Sequence, residues 1–458
     1  MSVRSMVSCP RRPMFLLAAL ACLAVLGLAD HAFAGGRFTN GGAVGGVKVD
    51  AEGVVRAATV EEFGALVKAR RELFEPLPGD MNEPAEFRKI SLRRLQETIA
   101  DRRAKNTSPV IPFEMEYLAG MTRVQYVFVY PEEKDIVLVG PAEPLEINNA
   151  GFVVGANSGR PALQLDHLLL AMRTARGAAN GPITCSIDPT PEGIQRLQKY
   201  VDQQKTFTAN TPRQIEEVMG LQNVTINNVS PTSDFARILV AADYRMKRIA
   251  MGLDPSGVKG MPSYLDMMQG GNIGLANATP RWWMAPNYDA LWRDKDGLAW
   301  ELRGQGVQVM TEDSLVAAEG GPKRTGKASP IAQKWADSMT KNFDALCDKH
   351  SIFGEMRNIM DLSVVAALIV KNDLPSAAGL DLSLLMDEEA LSFEADFPAP
   401  KKVSTEAAVV KKGRKYIVSA QGGVEINSWE VASKTELNEK LSPAREKAAH
   451  VGARWWWN

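Results

Sequence analysis

The alternation of polar and apolar residues predicts strands and tight turns in the first third of the chain. Residues 124–130 are rich in β-forming side chains, residues 131–134 interrupt them, and residues 136–139 resume the pattern. This arrangement predicts a β-hairpin. Residues 47–50 and 54–56 flank an Asp- and Gly-containing turn and predict a second, shorter hairpin.

Helical periodicity marks four further stretches. Residues 60–104 follow a helical pattern that is broken at residues 76–80, and a helix is expected to begin near Asp166, whose carboxylate can cap the first turn. Residues 331–349 and 354–370 predict two more helices.

The middle of the chain repeats one pattern twice. A strand at residues 183–187 is followed by Asp188, Pro189 and Thr190 and then by a helix. A strand at residues 224–229 is followed by Ser230, Pro231 and Thr232 and a helix to about residue 251. Further helical sequence separates the two strands, so we expect a parallel crossover and a small parallel α/β unit.

The predicted fold class is mixed α/β (α+β), with this small parallel unit, a Trp-rich β region and a helical region. Strands are expected at residues 281–284, 299–303 and 307–310, with a turn at residues 304–306, and near residues 415–419 and 423–426. The expected segments are 1–34, a signal peptide; 35–108, a Gly-rich lead-in, short hairpin and charged helices; 109–252, the longer hairpin and the α/β unit; 253–320, the Trp-rich region; 331–374, the helical pair; and 375–458, a mixed C-terminal segment.

The first 34 residues have the three parts of a secretory signal. Arginines precede an apolar run at residues 14–28, and a small-x-small tripeptide ends at Ala34 before Gly35. The run is shorter than the roughly 18 residues that a membrane-spanning helix needs. Cleavage between Ala34 and Gly35 is therefore expected, with an uncleaved anchor as the alternative. The expected location is periplasmic or secreted, with no membrane span after cleavage.

Composition narrows the functional classes. The 53 Lys and Arg balance 54 Asp and Glu, which argues against nucleic acid as a partner. Only Cys185 and Cys347 lie beyond the signal, and whether they pair is open. The few His and Cys show no ligand spacing, so no metal site and no cofactor are expected.

Two sets of polar residues are candidates for chemistry. Parallel strands would gather Asp188, Thr190 and Thr232 at the edge of a sheet where ligands bind, although helix capping explains the same residues. On the helix from residue 234, Asp243 and Arg245 border an apolar stripe and could line a cleft. The alternative for Asp243 is an ordinary pair with Lys247, four residues on.

Aromatic residues form a third candidate. Trp282, Trp283, Trp292 and Trp300 alternate with carboxylates that include Glu301, a composition suited to stacking sugar rings. A glycosidase would need two carboxyl groups about 5–10 Å apart, and no spacing here selects a pair. The alternative is core packing, with one residue of the 282–283 pair facing inward.

A thiol nucleophile is a weaker candidate. Cys185 could act with His167 as its base. However, Cys185 lies within an apolar strand, where cysteine usually packs as a small hydrophobic residue.

Several short stretches are distinctive in combination. They are GGV at 45–47 to VVR at 54–56, VFVYP at 127–131 with GPAE at 140–143, CSIDPT at 185–190, ADYRMK at 242–247 and RWW at 281–283. Together they resemble a family of exported planctomycete proteins of unknown function, over about residues 45–370. The resemblance implies a bacterial host and an exported location, but it implies no mechanism.

The sequence leaves open whether the protein is an enzyme. The first hypothesis is a non-enzymatic envelope or secreted protein that binds partners such as envelope proteins or glycans. The residues that bind the partner would then be Trp282 and Trp283, together with an exposed Trp tail at residues 455–457. The alternative is an exported hydrolase acting on glycan or peptide, with catalytic groups among Asp188, Asp243, Arg245 and Glu301, or a lectin-like module that uses the Trp faces.

Overall fold

A computed structural model shows two large β-sheets and a set of buried helices. It describes residues 43–44, 47–49, 54–57, 60–105, 111–204, 208, 210–270, 278–316, 322–324, 326–388, 391, 399–412, 414–419, 421–449 and 452–458. The predicted signal peptide and its Ala34–Gly35 junction lie outside these residues.

The strands are β1 (Ala43–Val44), β2 (Val47–Val49), β3 (Val54–Ala57), β4 (Ala85–Ser91), β5 (Tyr126–Tyr130), β6 (Asp135–Ala142), β7 (Leu145–Ile147), β8 (Val153–Gly155), β9 (Ile183–Asp188), β10 (Leu221–Asn227), β11 (Ala278–Asn287), β12 (Leu291–Arg293), β13 (Ala299–Glu301), β14 (Gly306–Val316), β15 (Pro322–Arg324), β16 (Lys402–Ser404), β17 (Ala407–Lys412), β18 (Arg414–Ser419), β19 (Gln421–Ile426), β20 (Thr435–Leu437) and β21 (Trp456–Trp457). The α-helices are α1 (Val60–Glu72), α2 (Leu92–Ala104), α3 (Phe113–Glu116), α4 (Leu165–Ala175), α5 (Pro191–Gln203), α6 (Thr211–Met219), α7 (Asp234–Ala250), α8 (Tyr264–Gly270), α9 (Pro330–Lys341), α10 (Phe343–Lys349), α11 (Ser351–Lys371), α12 (Leu374–Ala378), α13 (Ser383–Met386), α14 (Ser428–Val431) and α15 (Leu441–Ala448).

The larger sheet has ten strands in the order β1-β2-β3-β16-β10-β9-β19-β11-β14-β15. Its pairs are antiparallel except β3–β16 and β11–β19. The strand order alternates early and late parts of the chain, so distant sequence segments become neighbours in the middle of the sheet.

The smaller sheet has seven strands in the order β20-β12-β13-β5-β6-β4-β21. It contains the predicted long hairpin, since β5 and β6 pair antiparallel. The short hairpin is confirmed as β2 and β3 in the larger sheet. Strand β4 was not predicted, because the helical pattern was extended through its residues.

Buried helices supply most of the core. The first 19 residues of α11, from Ser351 to Ile369, are all buried, and α11 packs on α4 and α7. Helix α7 is also buried on nearly every side. Burial over this whole span places α11 in the interior of the protein. The helices predicted at residues 331–349 and 354–370 are present, and the first of them breaks at Asn342.

The mixed α/β class is confirmed, but the predicted parallel unit is wrong. Strands β9 and β10 are neighbours that run antiparallel, with Asp188 opposite Asn223 and Thr184 opposite Asn227. Two helices, α5 and α6, pack together between these strands. They return the chain to the end of the sheet that it left, so β10 runs back along β9.

The predicted Trp-rich region divides between the two sheets. Strand β13 pairs with β5 in the smaller sheet, whereas β11 and β14 pair in the larger one. Gly304 lies where the chain passes between them, with φ of +116°, and an added Cβ would lie 2.7 Å from the carbonyl oxygen of Asn287. Only glycine suits such a backbone position.

Two of the three C-terminal tryptophans are buried, whereas the whole tail was expected to be exposed. Trp455 and Trp456 are 8% and 5% exposed, because β21 pairs with β4 at the edge of the smaller sheet. The guanidinium of Arg88 lies 5.1 Å from the ring centroid of Trp456.

Candidate functional site

The central strands of the larger sheet have one buried and one polar face. In β9, Ile183, Cys185 and Ile187 are buried, and the residues between them are partly exposed. In β11, Trp282 is fully buried whereas Arg281 and Trp283 are partly exposed. Side chains alternate between the two faces of a strand. We call the face that contains the buried side chains the inner face and the face that contains Arg281 and Trp283 the outer face.

Charged and polar side chains line up across the outer face. Register pairs Arg281 with Gln421 on β19 and with Glu312 on β14. On the other side of β19, Gly422 pairs with Ile187, the residue before Asp188. The strand pairings thus bring side chains from four strands into one row, which consists of Asp188, Gln421, Arg281 and Glu312.

An ion pair joins the two charged residues of this row that were quoted in the family resemblance. Asp188 Oδ1 and Arg281 Nη1 are 3.7 Å apart, and the side chains are 35% and 14% exposed. This separation is too long for a hydrogen bond. The pair is therefore loose, and the carboxylate is open to solvent on one side.

Several atoms of the row are buried without hydrogen bonds. Gln421 is 4% exposed, yet its Oε1 has no hydrogen-bond partner among the described residues, and the same holds for Asp188 Oδ1 and Arg281 Nε. A buried polar atom left unpaired costs about 1–3 kcal/mol. Because these atoms are buried, a ligand on the outer face would reach the row through its exposed member, Asp188.

An indole ring lies beside the row. Trp283 is half-buried and pairs with Gly423 on one side and with Met310, which is 40% exposed, on the other. A Cβ on Gly423 would lie 2.3 Å from the carbonyl oxygen of Cys185, so the position excludes a side chain. The strand next to Trp283 consequently presents bare backbone beside the indole ring.

A second ion pair lies under the inner face at the same place. Asp243 Oδ2 and Lys247 Nζ are 3.0 Å apart on α7, with side chains 0% and 5% exposed. An added Cβ on Gly422 would lie 2.3 Å from Asp243 Oδ1 and 2.9 Å from the carbonyl oxygen of Trp282. The absence of a side chain at Gly422 therefore lets the pair approach the sheet.

Burial controls the protonation of this inner group. Desolvation raises the pKa of Asp243, and the charge of Lys247 opposes the rise. Lys247 Nζ also donates to the carbonyl oxygen of Ile187 at 3.4 Å. The predicted Asp243–Lys247 pair is present, but it lies in the core rather than on the surface.

The other candidate carboxylate and arginine lie elsewhere. Arg245 Nη1 donates to Asp254 Oδ2 at 2.7 Å, and Asp254 also accepts from Arg248. Glu301 is in β13 of the smaller sheet, opposite Tyr126, where burial raises its pKa. The structure thus groups Asp188 with Asp243 across the sheet and leaves Arg245 and Glu301 out.

The candidate threonines have local roles. Thr190 caps α5, since its hydroxyl accepts from the backbone N–H of Gly193 at 3.0 Å. Thr232 lies 2.8 Å from the hydroxyl of Ser230, and Ser233 caps α7. The antiparallel course of β10 places Thr190 and Thr232 at opposite ends of the two strands.

Trp282 packs into the core, as expected of one residue of the 282–283 pair. Its ring centroid is 4.9 Å from that of Tyr264 and 4.7 Å from that of Trp335. It offers no face to a ligand, and Trp283 is the member of the pair that reaches the outer face.

The two cysteines are free and buried. Burial raises the pKa of Cys185 far above its usual range, so the thiol stays protonated. His167 Nε2 lies 3.3 Å from Asp234 Oδ2. A Cys185–His167 nucleophile therefore has no support in the geometry.

Within the part of the chain that the structure describes, no group of three or more His, Cys, Asp and Glu could hold a metal ion. Among the helices that the structure describes, none combines the length and the apolar character that crossing a membrane demands.

Three residues of this region, Gln421, Gly422 and Gly423, were not predicted as part of a site. Their signal was a pair of adjacent glycines at the start of the strand predicted at residues 423–426, since glycine at such a position often marks a close approach of another group. Here Asp243 approaches Gly422 from one face, and the backbone of Cys185 crowds Gly423.

The molecule is thus a mixed α/β protein with a polar sheet face built from distant segments. Residues 185–264 match the model of a protein family of unknown function, DUF1598. Comparison with curated proteins and with solved structures finds no match to the chain. The matched segment begins at Cys185 and contains Asp188 and both members of the Asp243–Lys247 pair.

Proposed function

We propose that this protein is an exported, non-enzymatic binding protein that holds a glycan on the outer face of the larger sheet. One observation carries the proposal: the partly exposed ring of Trp283 lies on the same face as the carboxylate of Asp188, whose side chain is 35% exposed.

The chemistry of a sugar fits this arrangement. One face of a pyranose ring presents C–H groups that pack on an indole ring, and its hydroxyls both donate and accept hydrogen bonds. The carboxylate of Asp188, with its side chain 35% exposed, can accept hydrogen bonds from these hydroxyls.

The charge state of the face favours binding over catalysis. Asp188 is held beside Arg281, and the second carboxylate of the group, Asp243, is fully buried and paired with Lys247. Acid–base catalysis needs two groups that reach the reacting atoms, and Asp243 is shielded from the outer face by the sheet.

Export is part of the proposal and rests on the three-part pattern of residues 1–34. Outside the cytoplasm the accessible ligands include cell-wall glycans and secreted polysaccharides. The absence of a predicted cofactor is compatible with a binding role.

The test is calorimetric titration of the protein with soluble oligosaccharides and peptidoglycan fragments. We expect saturable binding to one glycan class and a loss of about tenfold or more in affinity for Trp283→Ala, because a Trp anchor typically contributes about 2 kcal/mol or more. Asp188→Asn should weaken binding while keeping the side-chain shape.

Trp292→Ala is the matched control. Trp292 is also half-buried, but it lies in the smaller sheet with the guanidinium of Arg303 3.7 Å from its ring centroid. Equal losses for Trp283→Ala and Trp292→Ala would remove the outer face as the site. Release of new reducing ends from the bound glycan would overturn the non-enzymatic part.

A further inference from the structure

A cleft of about 440 Å³ lies away from the outer face, at the smaller sheet. One wall is the hairpin of β12 and β13, a second is the end of α11 with the start of α12, and a third is the segment that leads into β20. Its volume is within the range of small-molecule sites, roughly 300–1,000 Å³.

The cleft has an excess of positive charge. Arg293, Lys295 and Lys371 line it, and Asp296 is the one acidic residue in its lining. In the described part of the chain, none of the three cations makes an ion pair with a carboxylate. Three basic side chains around one concave space concentrate positive potential there.

Local contacts hold the walls in place. Asp294, 1% exposed, accepts from the backbone N–H groups of Leu298 and Ala299 at 2.8 and 3.1 Å, which fixes the hairpin turn. Lys371 hydrogen-bonds to the hydroxyl of Ser433, and its Nζ lies 5.2 Å from the ring centroid of Trp429. Such contacts pre-organise two of the walls and lower the entropy cost of binding.

The cleft also has an apolar floor. Trp300 and Leu374 line it and are 3% and 2% exposed. The indole N–H of Trp300 donates to the carbonyl oxygen of Gly297 at 2.8 Å. The ring is therefore packed within the protein, and the small surface that it presents to the cleft is apolar.

From this combination we infer that the cleft is a second binding site, specific for a small organic anion that carries a phosphate or a carboxylate group. The anionic group lies between Arg293, Lys295 and Lys371, and the organic part packs on Trp300 and Leu374. Both anion types satisfy the same cations, since guanidinium and ammonium groups donate charge-assisted hydrogen bonds to either. This inference is independent of the outer face.

The experiment is calorimetric titration with glucose 6-phosphate, glucuronate and inorganic phosphate, with uncharged glucose for comparison. We expect saturable binding of at least one organic anion, weaker binding of inorganic phosphate, and affinity that falls as salt rises. The ranking of glucose 6-phosphate against glucuronate identifies the preferred anionic group.

Variants locate the site. Lys295→Ala and Arg293→Ala should each weaken the binding by about five- to tenfold, the effect of losing a partly exposed charge-assisted hydrogen bond. Lys295 is exposed and makes no hydrogen bond through its side chain within the described chain, so its removal should leave the fold intact.

Lys434→Ala is the matched control, because Lys434 is close in sequence to Ser433 but outside the lining and paired with Glu430 at 2.8 Å. It should bind like the wild type. Absence of saturable binding by every anion, or equal losses for Lys295→Ala and Lys434→Ala, would overturn the inference. Loss of anion binding in Trp283→Ala but not in Lys295→Ala would assign it to the outer face instead.

Discussion

Replacement of Lys247 by methionine should destabilise the protein severely. The change removes the ammonium 3.0 Å from Asp243 and leaves a carboxylate with 0% exposure unpaired under the sheet. Breaking a buried ion pair from one side costs about 3–5 kcal/mol. That is a large share of a typical stability of about 5–15 kcal/mol.

The chain provides a control of the same spacing and orientation. Glu430 and Lys434 are also four residues apart with the acid first, at 2.8 Å, but their side chains are 57% and 61% exposed. Exposed pairs contribute about 0–1 kcal/mol. Lys434→Met should therefore change the free energy of unfolding by less than about 1 kcal/mol.

Urea unfolding, followed by circular dichroism, measures the free energy of unfolding of both variants. The slope of that free energy against urea concentration should be the same in both, which shows that unfolding exposes equal surface. The loss in Lys247→Met should shrink as pH falls, because protonation of Asp243 removes the unpaired charge. Adding Asp243→Leu should recover most of the loss, since an apolar pair often replaces a buried ion pair without cost. If Lys247→Met and Lys434→Met are equally stable at neutral pH, the argument from burial is refuted.

Two further predictions concern the same core. Gly422→Ala should cost about 1–3 kcal/mol, the usual range for overpacking, because the new Cβ would lie 2.3 Å from Asp243 Oδ1; a fully stable variant in thermal unfolding would contradict this. The second prediction concerns pH. Burial raises the pKa of Glu355 to about 8. Burial lowers the pKa of His167, but the neighbouring aspartates outweigh this effect and raise that pKa to about 9. Both groups keep protons in the folded state that the unfolded chain releases, so the stability of the fold should fall as pH rises. The fall should run from about pH 4.5 to 8 for Glu355 and from about pH 6.5 to 9 for His167. A pH series of melting temperatures should show this decline, with a flatter slope between pH 5 and 8 in Glu355→Gln, and an equal slope in the variant would refute the assignment.

Local pattern was sufficient for the hairpins and the buried helices. Strands β5 and β6 follow a run of β-forming residues and a turn, and their register is fixed by neighbours only a few residues apart. Helix α4 begins at Leu165, beside the predicted start at Asp166. Helix α11 (Ser351–Lys371) contains the helix predicted over residues 354–370. In these elements the residues that form the contacts are close in sequence.

Prediction from the sequence pattern failed where the stabilising contact comes from a distant part of the chain. Strand β4 is held by β6 and by β21, with Ile90 opposite Leu138 and Trp456. No local signal near Ile90 reports a partner at the end of the chain, and tertiary pairing overrides helix propensity there.

The candidate site shows the same division. Sequence by itself selected Asp188, Asp243 and Trp283 by residue type and position, and it identified the strand that contains Gly423. It could not tell which face each side chain takes, nor that β19 inserts between β9 and β11. The order of strands in a sheet depends on long-range packing and loop closure rather than on local preference. For that reason only the tertiary structure decided that Asp188, Gln421 and Arg281 form one row and that Arg245 and Glu301 lie outside it.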